Sequence, residues 1–494
     1  MKLWLILVVL SPIAYLVVHR SVKHKTTTPV WLCWLVIMLP SFIWTIWTHI
    51  FGEEQPLPLP VFLFPLFLCP LLYGWLVQRG KPQKTVDPVK KSEPTIVMAK
   101  SAAESIPPRP INNQEEATLR NCFPWNVYYL QNIDYRPQAI FCRGKLKTIP
   151  EEAYNEIKDN VEQAFGDRFF LIFQESFRGK PFFALVPNPQ AQAAERETES
   201  DSRIGFAIVM FVFTLLTTTV AGVSIDDTPS EELLSNPGLL LQGLAYSIPL
   251  LLIIAVQKFS HYFMAGYYKI RTSLPYFIPF PFLLDTFAVG TLGALNQRKS
   301  PIPHRKALFD LAIVDSMSGF LLIIPILIGG LYLSEVVPLE ESSIFNIQAQ
   351  DPRLSLFLSL LAKLSLGASL TPEMGIQLHP LAVAGGVGLF IAAINLMPIG
   401  QLNGGHIVHA VFGQKMAIAV GQITRILAIL FALIHPYFWI WAILMWLIPL
   451  IDQPALNDVT ELDNKRDFLG LVALALLIII ILPVPEAIAN LLGI

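Results

Sequence analysis

The sequence predicts a polytopic α-helical membrane protein that carries one small soluble α/β domain. Three observations predict it. The 494 residues are 53% hydrophobic and only 15% charged, with a mean hydropathy of +0.54, whereas a soluble globular chain carries about 25% charge. Apolar runs of membrane-helix length recur at both ends of the chain. Between them, at 119–189, lies a stretch of ordinary soluble composition flanked by polar linkers. The net charge of −2 comes with no basic patch, which argues against nucleic acid as a partner. Cys33, Cys69, Cys122 and Cys142 show no metal-binding spacing. Cys122 and Cys142 could pair, but free thiols in a reducing compartment are the plainer expectation.

In chain order, residues 1–78 hold three apolar runs, at about 3–19, 29–50 and 56–78. The first is followed, not preceded, by its basic cluster. It therefore reads as a retained helix and not as a cleaved leader, and with no Ser/Arg-rich transit segment before it a bacterial membrane is the expectation. Residues 79–118 are rich in Pro, Lys, Ser and Glu and read as a flexible linker. In the soluble domain, Gln138–Lys147, Arg168–Gln174 and Pro181–Val186 read as strands, the last two joined by a turn at Gly179. Thr148 and Glu151 have capping-box spacing. After them Tyr154, Ile157, Val161, Ala164 and Phe165 recur at helical period. A second linker, 190–203, leads into a membrane core at 204–494. Its apolar runs fall at about 204–225, 238–267, 307–334, 353–370, 379–398, 407–434, 436–451 and 468–484.

Lys and Arg set the orientation. Basic clusters follow the first and third runs and precede residue 307, while the connections at 51–57, 226–237 and 335–352 are acidic or neutral. The soluble domain is expected on the cytoplasmic side. Gln257–His261 then falls in the cytoplasmic half of the helix over 238–267.

That helix carries the stretch on which the chain turns, Leu251–Ile270. Gln257 and His261 are one helical turn apart and share a face. The pentad Gln257-Lys258-Phe259-Ser260-His261 occupies the frame of H-E-x-x-H, which supplies two zinc ligands and a general base. Downstream, Asn395, Pro398, Asn403 and Gly404 fall in the frame N-x-x-P-x-x-x-x-D-G, with Asn403 in place of Asp and Gly405 following. Together these segments resemble the site-2 proteases, the intramembrane metalloproteases of family M50, and most closely their cyanobacterial and chloroplast branch. The resemblance runs from about Ala139 to Asp467 and takes in 290–313 and 454–463. It implies a site-2 protease-like core with a membrane-embedded β-hairpin over about 274–295, whose edge could take a substrate strand. A hydrophobic loop capping the helices is the alternative there.

The resemblance assigns Gln257 and His261 to the first two ligand positions, Asn403 to the third, and Lys258 to the position of the general base. A catalytic zinc needs three protein ligands, and a carboxylate to move protons. Two amides are poor ligands, and an ammonium beside the site repels a dication. We therefore expect no metal, and zinc only if the site is rebuilt from His379, His406 or His409. Lys258 is not expected to function as a base. Asp315 stands where active relatives have glycine. Lys258 and Asp315 are each costly alone in a bilayer, which predicts an ion pair between them. The alternatives are that Lys258 reaches the cytoplasmic surface and that Asp315 pairs with Arg305 or Lys306. A hydrogen bond between Gln257 and Asn403 is also open.

Three functions compete on these residues. The first is a non-catalytic site-2 protease homologue that binds or regulates membrane proteins. Its partners would be the membrane and the transmembrane segments of clients, active site-2 proteases among them. The second is a working zinc protease with a remodelled site. The third is a transporter or channel using Lys258, Asp285 and Asp315, although no inverted repeat is visible.

Overall fold

The computed structural model describes residues 29–51, 111–136, 139–176, 179–188, 200–225, 237–280, 289–338, 350–372, 374–434 and 439–494, with isolated positions between 11 and 76. The runs at 3–19 and most of 56–78, residues 79–110, 189–199 and 281–288 (which include Asp285) lie outside the described residues. The chain divides into two units, Met1–Ala102 and Ala103–Ile494. In the first, helix α1 (Val30–Phe51) packs Cys33 against Trp34, Tyr73 and Leu76.

The second unit opens on a sheet layer. Helix α2 (Asn113–Asn121) starts at a capping box, in which Asn112 Oδ1 accepts from the Glu115 amide and Glu115 accepts from the Asn112 amide. With Ile111 buried, folded structure begins inside the stretch that composition marks as linker. Strands β1 (Tyr128–Arg136), β2 (Ala139–Leu146), β3 (Phe169–Glu175) and β4 (Pro181–Pro187) form an antiparallel sheet in the order β1-β2-β4-β3. Helix α3 (Pro150–Phe165) turns Ala153, Tyr154, Ile157 and Val161 onto it, while Ala164 is exposed. Composition missed β1, whose polar alternation resembles a loop. It also misplaced the cap of α3. Ile149 holds that position without a side-chain bond, because Pro150 sets the first turn, and Thr148 reaches Glu152 instead. Cys122 and Cys142 are buried and unpaired.

The apolar part follows. Helices α4 (Ser200–Ser224) and α5 (Leu240–Tyr267) pack closely through Gly222 and Gly243, where either Cβ would strike the other backbone. Strands β5 (Tyr276–Pro279) and β6 (Thr291–Leu295) pair as a hairpin. It is tied to α4 by Thr217 Oγ1 donating to Gly290 O at 2.7 Å, and to α5 by Tyr246 Oη donating to Val289 O at 2.9 Å. Helix α6 (Arg305–Tyr332) runs through the centre of the core. Strands β7 (Glu335–Pro338) and β8 (Met374–Gln377) pair around helix α7 (Leu356–Leu366).

Helix α8 (Pro380–Leu396) stops before Pro398, and α9 (Asn403–Phe412) starts after the break. Gly413, at φ +83°, separates α9 from α10 (Gln414–Ile434), so the apolar run at 407–434 is two helices. Helices α11 (Trp439–Leu447), α12 (Asn464–Ile481) and α13 (Glu486–Leu492) complete the chain. Among the described residues, four helices (within α4, α5, α6 and α10) are long and apolar enough to cross a membrane, and α12 with α13, bent by 81°, would make a fifth.

Candidate functional site

The site is assembled by α5, α6 and the start of α9. Gly319 on α6 lets α5 approach, because a Cβ there would occupy the space of the Gln257 side chain. Gln257 is consequently buried against α6. One residue on, Lys258 Nζ donates to Asp315 Oδ2 at 2.7 Å and Oδ1 at 3.0 Å, with the carboxylate almost fully buried. The two amide hydrogens of Asn403 go to Asp315 Oδ2 at 2.7 Å and Ser316 Oγ at 3.1 Å. They are therefore committed away from Gln257. His261, half-buried one turn along α5, lies within electrostatic reach of Lys258, Asp315, Arg298 and His406.

The break at Asn395–Gly405 brings Asn403 here. Pro398 cannot continue a helix. A Cβ at Gly404 would run into the Leu396 carbonyl, and one at Gly405 into that of Gly400. The hairpin joins the same place, with Asn296 Nδ2 donating to the Lys258 carbonyl at 3.0 Å.

Two other cations near the site are engaged elsewhere. Arg305 donates to the Ala410 carbonyl from Nε at 3.0 Å, and Lys306 lies 3.6 Å from Glu151 of the sheet layer. His379 caps α8, its Nδ1 accepting from the Leu381 amide. His406 Nδ1 and His409 Nδ1 converge on Asp452 Oδ2 at 2.6 and 3.2 Å, and His409 Nε2 meets Asp458 Oδ1 at 3.0 Å. Sequence reasoning missed this cluster. Its one signal was that Asp452 is the first charge after an apolar run.

A zinc ion does not fit the donor set at 257, 258, 261 and 403. An ammonium sits inside it, locked to Asp315, and Asn403 turns its hydrogens, not its oxygen, toward Asp315 and Ser316. Among the described residues no three His, Cys, Asp or Glu side chains are grouped to hold a metal. What the arrangement offers is a closed polar contact joining three helices.

Comparison with known proteins places this geometry in context. The model of "Peptidase family M50" matches residues 245–434, which takes in most of α5 and all of α6 to α10. The chain is 26% identical over 369 residues to "Probable zinc metalloprotease EGY2, chloroplastic" of Arabidopsis thaliana, covering 74% of this chain and 64% of that protein. It is 28% identical over 387 residues to "Probable zinc metalloprotease EGY1, chloroplastic" of the same plant, covering 72% and 68%. A third relative, "Probable zinc metalloprotease EGY3, chloroplastic" of Oryza sativa subsp. indica, is 22% identical over 388 residues. The match to the first of these spans just under two thirds of that relative's length. No solved structure matches.

Proposed function

We propose that this chain, which belongs to peptidase family M50 and is a membrane protein, acts as a non-catalytic member that binds or regulates transmembrane segments of other proteins without cutting them. The observation that carries the reading is the Lys258–Asp315–Asn403 contact. The position of the general base holds an ammonium, and the third ligand position holds an amide donating to the same carboxylate. A base must be able to accept a proton from the attacking water, and an ammonium held by a carboxylate cannot.

In this reading the chain crosses the membrane several times, and the sheet layer is a small soluble α/β domain on the cytoplasmic side. The basic clusters at 298–306 support that side. The membrane is a bacterial plasma or internal one, and the clients include active relatives. The test is metal analysis of the purified full chain together with a cleavage assay on membrane-spanning substrates. The expected result is far less than one zinc per chain and no cleavage. Zinc near one per chain, lost on His261→Ala, would overturn the reading.

A further inference from the structure

Arg425 stands in the middle of α10, eleven residues beyond Gln414. At 1.5 Å per residue that is ~16 Å along the helix, about half of the ~30 Å hydrocarbon core. Its side chain is 7% exposed. Nε donates to the Met445 carbonyl at 3.1 Å, and the guanidinium carbon lies 5.6 Å from the centre of the Trp446 ring. Among the described residues no carboxylate reaches it. The guanidinium borders a cavity of about 440 Å³, lined also by Ile418, Leu447, Ile448, Leu450 and Ile451. Helix α10 lies at the edge of the core, with Ile423, Leu427 and Leu430 more than half exposed. A midspan arginine costs ~2.5–3.5 kcal/mol on insertion scales and normally finds a partner. One carbonyl and one ring leave most of its five N–H donors without a hydrogen-bond partner among the described residues, beside an apolar groove.

We propose that the groove between α10 and residues 445–451 docks a transmembrane helix of another protein that carries an Asp or Glu at mid-membrane depth. Two observations select that occupant. The depth is wrong for a lipid headgroup, which sits at the interface, so an anion must come from a membrane-embedded segment. A second copy of this chain offers none among its described spans. Asp310 and Asp315 are held by Arg466 and Lys258, and Asp201, Asp467 and Glu486 sit in the first turns of α4, α12 and α13. The planar guanidinium can hold a carboxylate through two N–H groups, while the aliphatic lining packs the helix flanking it. The inference rests on the reading that the chain engages transmembrane segments. It is indifferent to whether the Lys258 site is catalytic.

The test uses full-length protein in phosphatidylcholine vesicles and fluorescent model peptides, each an apolar helix with Glu or Leu at its centre. The Glu peptide is expected to bind at least tenfold more tightly than the Leu peptide. Moving the Glu two turns toward either end should abolish the difference, as should Arg425→Gln, while Arg425→Lys should keep part of it. Equal binding of the two peptides to the native protein would overturn the proposal without any variant. So would a preference that survives Arg425→Gln, or one that disappears when phosphatidylglycerol is added, which would mark the site as reading a headgroup. None of these outcomes bears on the zinc and cleavage test, so the two readings fail separately.

Discussion

At the scale of the residue, the informative change is a coupled one. Lys258 and Asp315 each depart from the pattern that the sequence resembles, and they meet at 2.7 Å with Asn403 on the same carboxylate. Removing one leaves the other uncompensated in a buried place, which typically costs ~3–5 kcal/mol. Lys258→Met and Asp315→Leu should therefore each lower the thermal midpoint of detergent-solubilised protein strongly, and the double variant should lose less than their sum. Strict additivity would refute the coupling. The same geometry predicts how a zinc site could be restored. Gln257→His, Lys258→Glu and Asn403→Asp alone would crowd new carboxylates onto Asp315, and like charges at that distance cannot all ionise. Adding Asp315→Gly should be what permits near-stoichiometric zinc, and equal zinc uptake with Asp315 retained would refute this. The residue types were legible in the sequence, since an intramembrane Lys and Asp each need a partner. The part played by Ser316 and the fit of Gln257 against Gly319 were not, because both depend on the side-to-side rotation of α6.

At the scale of the element, α9 is positioned by backbone chemistry and anchored by charge. Pro398 and the Gly404-Gly405 pair made the break visible in the sequence, because proline and close-packed glycine serve the backbone whatever the side chains do. Gly404→Ala would push a methyl group into the Leu396 carbonyl. A loss of ~1–3 kcal/mol is expected, read as a lower unfolding midpoint, and an unchanged midpoint would contradict the close approach. The anchor was less legible, because His406 and His409 meet Asp452 and Asp458 from a distant stretch. Helix α9, at ten residues, is too short to cross a membrane. Burial alone would keep His409 neutral, but carboxylates on both ring nitrogens raise its pKa to about 9. Burial likewise opposes ionisation of Asp452, yet His406 and His409 hold its carboxyl well below the usual range. A raised histidine contributes stability that is complete below its unfolded value, near 6.5, and disappears as pH rises through about 9. The contact is one interaction seen from both partners, on the order of 3 kcal/mol. The unfolding midpoint should fall between pH 6.5 and 9.5, with His409→Asn flattening that slope. A native midpoint that is flat across this window would refute the assignment.

At the scale of the whole molecule, the segment at 454–460 joins the sheet layer to the apolar core. Its sequence stood out only by resemblance, with no role attached, because extended backbone pairing has no side-chain signature. The Phe173 amide donates to Leu456 O at 2.6 Å, and the Asp458 amide to Phe173 O at 2.9 Å, which covers the free edge of β3. From its other side the same segment pairs with the approach to α6, Leu456 N to Ile302 O at 2.8 Å and Asn457 N to Pro303 O at 3.0 Å. An extended segment used on both edges acts as a shared strand, so sheet and core lose their connection together if it is displaced. Asn457, buried, holds the turn that follows through its side chain to Val459, Thr460 and the Thr460 hydroxyl. Leu456→Pro removes the amide that bonds Ile302 and fixes φ where the ladder needs an extended residue. Amide hydrogen exchange should then accelerate together in β3 and at 302–306, while Leu250–Ile254 in the middle of α5 stay protected. Faster exchange in β3 alone would mean that the segment merely borders the core, and that the sheet is held to α6 by side-chain contacts such as Lys306 with Glu151.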